Sequence, residues 1–149
     1  QSMPLAVKSN RFHYLLFNSQ NTIEILETNN IVVDSTLGFN SIPGFRNNTA
    51  YPFYLFDFNR YIISNVMEVP QVIMDASLFY DHYLGIKTIE KAIEVIDPLL
   101  LQVQQYGGIL TLNWHNDSFL DITGNKIKME VLERIFESFQ NKGESLKIE

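Results

Sequence analysis

The stretch NTIEILETNNIVVD, from Asn21 to Asp34, joins a short helical pattern directly to an apolar strand that ends in a carboxylate. Asn21 can accept a hydrogen bond from the backbone N–H of Glu24, as in an Asx version of the capping box. Two asparagines end the helix, and the β-branched residues that follow predict a buried strand. A helix followed at once by a strand is typical of α/β folds.

The same alternation continues on both sides of this unit. Two longer patterns predict helices, one from Thr88 to Tyr106 that ends at Gly107 and one from Ile127 to Asn141 that ends at Gly143. Pro98 lies inside the first pattern, so we expect a kink or two abutting helices there. Strand character is found in three further runs: RFHYLLF (Arg11 to Phe17), MEVPQVIMD (Met67 to Asp75) and ILTLNWH (Ile109 to His115).

Strands that are separated by helices favour parallel pairing with right-handed crossovers, which predicts an α/β fold. No repeat, charge block or low-complexity linker divides the chain, so we expect a single domain over residues 1–149. Gln1, Ser2 and Met3 resemble the remnant of a cleaved affinity tag and are left out of the fold. Ligand sites of such folds gather at the carboxyl ends of the strands, where Asp34 and His115 both stand.

The composition excludes several classes of function. The net charge is −6 and the 11 basic residues are spread thinly, which gives no electrostatic footprint for nucleic acid or an anionic membrane surface. The chain has no cysteine, so disulfides and thiolate metal sites are excluded. No apolar run reaches the roughly 18 residues of a membrane span. We therefore expect a soluble protein and leave a cytoplasmic or a cell-envelope location open.

His115 is the first candidate for chemistry. Strand alternation in ILTLNWH places Leu112 and Trp114 on one face and Thr111, Asn113 and His115 on the other, polar face. That face suits an interior or a mouth, where a histidine donates or accepts a proton near neutral pH. The alternative is a histidine whose ring only hydrogen-bonds a loop carbonyl.

A long loop follows Asp34, and its residues suit a sugar. Loops of this length are uncommon unless they are functional or disordered, and the aromatic residues here favour order. Aromatic faces together with hydroxyl and guanidinium groups match the C–H faces and hydroxyl edges of a carbohydrate. The alternative is an aromatic cluster beneath a covering loop. The side chains concerned are Phe39, Arg46, Thr49 and Tyr51.

Other polar residues have weaker signals. Arg11 lies in an apolar strand, where an arginine needs a carboxylate partner or water. The alternative interpretation is that it is a cation on an edge strand, exposed to solvent. Asp75 ends a predicted strand and is expected to cap the next helix. The three histidines are scattered and form no recognisable metal site.

In their order and spacing, these segments resemble the later part of the polysaccharide deacetylases, a group of carbohydrate esterases. Arg11-x-His13-Tyr14 looks like the R-x-P-Y motif of that family, with His13 in place of the proline. NTIEILETNNIVVDST is similar to its T-x-x-x-L-x-x-x-G-x-x-x-D-S-S/T segment. GFNSIPGFRNNTAYPF resembles a G-F-R-x-G-T-x-x-P-F/Y loop, with Asn48 at a glycine position. MEVPQVIMD looks like an E-V/I-P strand and GGILTLNWHN like a G-G-x-x-x-x-x-W-H-N strand.

This resemblance implies a distorted (β/α) barrel and a set of roles. Arg11 would steady the catalytic aspartate, His115 would protonate the leaving sugar amine as general acid, and Asp34 would hold the surroundings of that histidine. A divalent metal, expected to be zinc, would polarise the acetyl carbonyl and activate water. The resemblance places a groove for acetylated carbohydrate at the barrel mouth, formed by Tyr14, Phe39, Arg46, Thr49, Tyr51 and Trp114.

The family's metal aspartate and its H-x-x-x-H pair precede the segment that corresponds to Lys8. The resemblance therefore implies an incomplete barrel with no metal ligands in this chain, and we expect no deacetylase activity from this polypeptide alone. Its open edges would be covered by the missing N-terminal half or by a second copy, or the strands would rearrange into an open sheet.

Three functions stay open at this point. The first is the C-terminal part of a metal-dependent deacetylase of N- or O-acetylated sugars. The second is a non-catalytic module of the same fold that binds carbohydrate or serves assembly. The third is an α/β domain whose resemblance is limited to the fold.

Overall fold

The computed structural model describes residues 6–120 and 125–139, which form a mixed α/β architecture. Residues 1–3 and the predicted end of the last helix, at Asn141 and Gly143, lie outside the described residues. The strands are β1 (Ser9–Asn10), β2 (Val33–Asp34), β3 (Phe53–Asp57), β4 (Ile62–Glu68), β5 (Ile73–Met74) and β6 (Leu112–Asn113). The α-helices are α1 (Thr22–Thr28), α2 (Asp75–Phe79), α3 (Ile89–Tyr106) and α4 (Asn125–Phe139), with short 3-10 turns at His13–Leu15 and Asn116–Phe119.

The larger sheet has the strand order β1-β2-β4-β3. β1, β2 and β4 are parallel, whereas β3 runs antiparallel to β4. Side chains alternate along β4, so that Ser64, Val66 and Glu68 are buried. α1 covers this face, because its Ile23 and Leu26 share a core cluster with Val66. The buried face of the larger sheet therefore includes two polar side chains, Ser64 and Glu68.

The second sheet consists of β5 and β6, which are parallel. Leu110, Leu112 and Trp114 pack against the core beside it, which confirms the apolar face predicted from alternation. The core is built from β5, α2, α3 and α4, and its buried members are Val72, Ile73, Leu78, Phe79, Ala92, Ile96, Leu100, Val131 and Ile135.

Within the described residues neither sheet closes into a barrel. The α/β class and the parallel pairing of β1, β2 and β4 and of β5 and β6 are confirmed, but the prediction of parallel strands throughout is wrong. The exception is the β3–β4 hairpin, which sequence reasoning did not identify. Its turn is held by Asp57, which accepts hydrogen bonds from the backbone N–H groups of Asn59 and Arg60. Arg60 also pairs with both Asp57 and Glu27 at 2.6 Å.

The long helix α3 matches its prediction, except at Pro98. Thr88 accepts a hydrogen bond from the backbone N–H of Lys91 at the start, and Gly107, with φ of 83°, ends the helix. Two abutting helices are not observed, since one helix continues across Pro98. Pro98 is exposed, so water can satisfy the carbonyl that lacks its partner N–H.

All four predicted strands are longer than the observed ones, and IVVD and ILTLNWH are each paired at two residues, Val33–Asp34 and Leu112–Asn113. The run RFHYLLF forms no strand: β1 precedes it at Ser9–Asn10, and the run turns at His13–Leu15, where Tyr14 and Leu15 have positive φ. The run MEVPQVIMD divides into the end of β4 and the separate β5. Pro70 lies between the two, and proline has no N–H to donate to a ladder.

The capping prediction at Asn21 is also wrong, because its side chain makes no cap hydrogen bond. The turn before α1 is held instead by Thr22, whose hydroxyl accepts from the backbone N–H of Asn18 at 2.9 Å. Among residues 6–120 and 125–139, no helix combines the length and apolar character that crossing a bilayer requires.

Candidate functional site

Three parallel strands bring polar side chains into one row at their carboxyl ends. Asn10, Asp34 and Glu68 are in register across β1, β2 and β4. Asp34 and Glu68 have no solvent exposure. Asp34 accepts hydrogen bonds from Asn10 Nδ2 (2.8 Å), Thr36 Oγ1 (2.9 Å) and the backbone N–H of Thr36 (3.2 Å). These donors compensate the cost of burying this carboxyl group.

Glu68 is the unusual member of this row. Its Oε1 accepts a hydrogen bond from the backbone N–H of Leu37 at 2.8 Å, while Oε2 receives none from the described residues. Burial, with the neighbouring Asp34 carboxylate as second cause, raises the pKa of Glu68 to about 8. At neutral pH Glu68 is therefore mainly protonated, with Asp34 as its neighbour in register on β2.

Arg11 stands beside this row without a direct ion pair to either carboxyl group among the described residues. Its Nε donates to the carbonyl oxygen of Ser35 (3.0 Å) and its Nη2 to the Ser35 hydroxyl (2.9 Å). Burial lowers the pKa of Arg11, whereas the charges of Asp34 and Glu68 oppose that shift. The polar contacts of the guanidinium are therefore to Ser35, and the predicted carboxylate partner is not observed as a direct contact among the described residues. We call Asn10, Arg11, Asp34 and Glu68 the Asp34 cluster.

A cleft of about 450 Å³ lies between the two sheets and borders this cluster. Arg11 supplies a charged group to its lining, and Ser9, Ser35 and Thr111 supply hydroxyl groups. Thr111 is also tied into the wall, because its hydroxyl donates to the Pro70 carbonyl at 2.6 Å. The cleft residues come from β1, β2, β6 and the segments next to them: Ser9, Asn10, Arg11, Val33, Ser35, Val69, Ile109, Thr111 and Leu112.

The second sheet carries a separate polar pair at its carboxyl ends. Asp75 directly follows β5, and His115 lies two residues after the last residue of β6. The atoms Asp75 Oδ1 and His115 Nδ1 are 2.6 Å apart, and the backbone N–H of His115 donates to Asp75 Oδ2 at 3.0 Å. The Asp75 side chain is fully buried, while 37% of the His115 side chain is exposed. We call these residues the His115–Asp75 pair.

This pair fixes the proton distribution on the imidazole ring. A carboxylate at Nδ1 favours the form that carries a proton on that nitrogen, which leaves Nε2 for a substrate or for water. The same carboxylate stabilises the ring when it becomes an imidazolium. His115 can therefore act as an acid or a base with a defined orientation.

Asp75 was predicted only as a helix cap, and Asp34 was expected to hold the surroundings of His115. The contacts assign that place to Asp75, because Asp34 is engaged with Asn10 and Thr36. Asp75 is the first residue of α2, with Met74 at the N-cap position. The parallel pairing of β5 and β6 was the available signal, since residues that follow neighbouring parallel strands come together.

The loop after Asp34 is ordered by its own polar side chains. Arg46 Nη1 donates to the carbonyl of Gly38, and the Thr49 hydroxyl accepts from the backbone N–H of Tyr51. The Tyr51 hydroxyl donates to the carbonyl of Tyr106 at the end of α3 (2.8 Å). Thr49 and Tyr51 line a second cavity of about 270 Å³ beside α3, and none of these contacts reaches the His115–Asp75 pair.

The remaining predicted groove residues have different surroundings. Trp114 packs edge-on against Phe79, with ring centroids 6.2 Å apart, and so belongs to the core. Phe39 is partly exposed at 38% and Tyr14 is exposed at 69%. Tyr14 stacks on His13 at 4.1 Å.

Sequence reasoning missed three residues near the two polar sites, and long-range pairing explains why. Glu68 was seen only as the start of an apolar strand, while Asn10 and Ser118 lay outside the motifs. Within residues 6–120 and 125–139, no group of three or more His, Cys, Asp or Glu side chains could hold a metal ion.

A scan against models of known protein families found no match for this chain. Searches of curated proteins and of solved structures also found none.

Proposed function

We propose that this chain is the C-terminal part of a metal-dependent carbohydrate deacetylase, in which His115 is the general acid. The observation that carries the proposal is the exposed imidazole held at Nδ1 by a fully buried carboxylate, at the carboxyl ends of two parallel strands. A catalytic acid needs a fixed orientation and an open face. The motif resemblance supplies the reaction class.

In this function, His115 delivers a proton to the sugar amine that leaves when the acetyl group is hydrolysed. Asp75 stabilises the imidazolium that precedes this transfer. The cleft beside the Asp34 cluster is the space in which Arg11 meets the reacting groups or the segment that carries them. We extend the proposal to Tyr14 and Phe39, which have exposed aromatic surface that a sugar ring can cover.

The deacetylases that this chain resembles use a divalent metal, expected to be zinc, to polarise the acetyl carbonyl and activate water. The described residues do not provide a ligand set for such an ion. The proposal accordingly assigns the metal ligands to residues outside those described, and no step on the metal is assigned to this chain.

The test is acetate release by the protein encoded by the complete natural reading frame. Acetylated chitooligosaccharide is the substrate, and the assay is run with and without a chelator. We expect metal-dependent release that His115→Ala lowers by about 100-fold or more. His82→Ala is the control, since His82 lies outside the His115–Asp75 pair. Absent or chelator-resistant release from the intact protein would count against the proposal.

A second candidate is a non-catalytic module that binds carbohydrate. The cavity beside α3 favours it, because Tyr51 and Tyr106 offer aromatic surface there and Gln102 offers an amide. Titration of chitooligosaccharide followed by NMR would shift the signals of Tyr51 and Tyr106 under this candidate. Shifts confined to the surroundings of His115 would favour the deacetylase instead.

A further inference from the structure

A buried hydroxyl and a lysine continue the His115–Asp75 pair away from its open face. Ser118 lies in the 3-10 turn directly after His115 and has no solvent exposure. Its Oγ donates to Asp75 Oδ2 at 2.5 Å. Asp75 therefore binds His115 through one carboxylate oxygen and receives Ser118 on the other, in addition to the backbone N–H of His115.

Lys128 reaches the same hydroxyl from α4. Its Nζ is 3.3 Å from Ser118 Oγ and lies 5.6 Å from the ring centroid of Tyr80. The Tyr80 ring is in turn 6.4 Å from the ring of His115. Lys128 thus contacts a hydroxyl group and an aromatic face. The Ser118 hydroxyl lies between the Lys128 ammonium group and the Asp75 carboxylate and is hydrogen-bonded to both.

The donors and acceptors in the series of contacts from Lys128 through Ser118 and Asp75 to His115 can be assigned. A serine hydroxyl has one proton to donate and accepts at its lone pairs. Because an ammonium group only donates, Lys128 occupies a lone pair of Ser118 and leaves the hydroxyl proton for Asp75. Donors on Oδ2, together with the backbone N–H of Ala76 on Oδ1, keep the carboxylate in one rotamer with Oδ1 facing His115 Nδ1.

We propose that Ser118 and Lys128 are positioning residues, which act through Asp75 to keep the neutral His115 ring protonated at Nδ1 and Nε2 open to substrate. The inference rests on the proposed function for its use in catalysis, but the tautomer itself can be measured without substrate. Free histidine has no such constraint, so the tautomer reports on the contact chain directly.

Other charged or titratable groups also face this region and set the background for the measurement. Asp75 and Tyr80 approach from the α2 side, Asp117 from the 3-10 turn and Lys128 from α4. Burial, followed by the charges of Asp117 and Asp75, raises the pKa of Tyr80 above its ordinary value. The ring centroids of His82 and Tyr80 are 5.7 Å apart.

The experiment is long-range ¹⁵N–¹H NMR of the histidine rings in the polypeptide, at a pH where they are neutral. In the unmodified chain we expect the Nδ1–H form of His115 to dominate. Ser118→Ala should shift the tautomer ratio about tenfold toward Nε2–H, the equivalent of one lost hydrogen bond to a charged group. Lys128→Met should shift it about threefold, since a partly exposed cation acts through one intervening hydroxyl.

Lys126→Met is the matched control, because Lys126 is on the same helix but is exposed and pairs with Glu130. It should leave the ratio unchanged, and Lys128→Arg should retain the ratio of the unmodified chain. If Ser118→Ala unfolds the chain, Lys128→Met on the helix surface carries the test. A dominant Nε2–H form in the unmodified chain, or an unaltered ratio in Lys128→Met, overturns the inference.

The outcome is separable from that of the proposed function. A shifted tautomer together with absent acetate release from the intact protein would keep the positioning role and remove the deacetylase. Acetate release that depends on His115 while the tautomer is insensitive to Ser118 and Lys128 would do the reverse.

Discussion

The Asp34 cluster and the His115–Asp75 pair are built alike but differ in access to solvent. Each has a fully buried aspartate at the carboxyl end of parallel strands. In the first, Asp34 is bound by the amide of Asn10 and the hydroxyl of Thr36, next to the protonated Glu68. In the second, Asp75 is bound by the Ser118 hydroxyl and by the His115 imidazole, whose side chain is 37% exposed. The comparison teaches that burial of an aspartate supports structure in one case and presents a reactive ring in the other.

The largest expected effect is on catalysis at the exposed site. Asp75→Asn in the intact protein should lower acetate release by about 100-fold or more, because the neutral amide no longer stabilises an imidazolium. Release is measured with acetylated chitooligosaccharide, and circular dichroism checks that the fold is retained. Asp117→Asn makes the same chemical change at an exposed neighbour and should have little effect. Equal losses in both variants would contradict the assignment of Asp75.

At the enclosed site the same kind of change should act on stability. Asp34→Ala removes the acceptor of three hydrogen bonds and leaves buried donors without partners, which should cost about 3 kcal/mol in the free energy of unfolding. Urea unfolding provides the measurement. The control is Asp97→Ala, which removes a partly exposed pair with Arg134 and should cost less than about 1 kcal/mol. Similar losses in the two variants would remove the distinction between buried and surface carboxylates.

Glu68 should make the stability contributed by the Asp34 cluster depend on pH. Its folded pKa of about 8 lies above the ordinary value of 4.5, so the folded state holds a proton that the unfolded state releases. The contribution of Glu68 to stability is therefore greatest below pH 4.5, falls as pH rises from 4.5, and levels off above about 8. Between roughly pH 6 and 8 we expect a loss of about 2 kcal/mol.

Glu68→Gln should abolish this decline, since the amide keeps the contact to Leu37 and can donate to Asp34 without ionising. Urea unfolding at several pH values measures the slope. The exposed Glu24→Gln on α1 should leave the slope unchanged. A decline that persists in Glu68→Gln would show that another group titrates.

How far the sequence predicts these sites depends on the range of the interactions. Local signals were sufficient to predict α3, because its apolar periodicity lies within the helix and Gly107 directly follows its last residue. The strand before Asp34 was predicted for the same reason. The turn at Tyr14 was not predicted, because it depends on a distant residue. The backbone N–H of Phe12 donates to the Thr36 hydroxyl and is therefore not paired in a strand ladder.

The partners of the catalytic candidate depended on still longer range. Asp75 and His115 are 40 residues apart, and only the parallel pairing of β5 and β6 brings them together. Motif spacing indicated that His115 stands at a strand end, yet it could not distinguish Asp34 from Asp75 as its partner. Both aspartates end apolar runs in the same way.

The smallest expected effect concerns the segment that connects the two sites. At one end, the backbone N–H of Phe12 donates a hydrogen bond to Thr36, close to Asp34. At the other end, Leu15 packs with Met74 and Ala76, the two residues that flank Asp75. Between them Tyr14 has φ of 58°, a left-handed conformation that asparagine tolerates better than tyrosine. Tyr14→Asn should therefore change the free energy of unfolding by less than about 1 kcal/mol, because the relief of strain offsets the loss of stacking on His13.

Tyr61→Asn is the matched control for this change, since Tyr61 has the same φ of 58° in the β3–β4 hairpin. If Tyr14 serves only the fold, the two variants should behave alike in the intact protein. If its exposed ring covers a sugar, Tyr14→Asn alone should raise KM for acetylated chitooligosaccharide about fivefold, with kcat nearly constant. An equal KM in both variants would restrict Tyr14 to a structural link between the two sites.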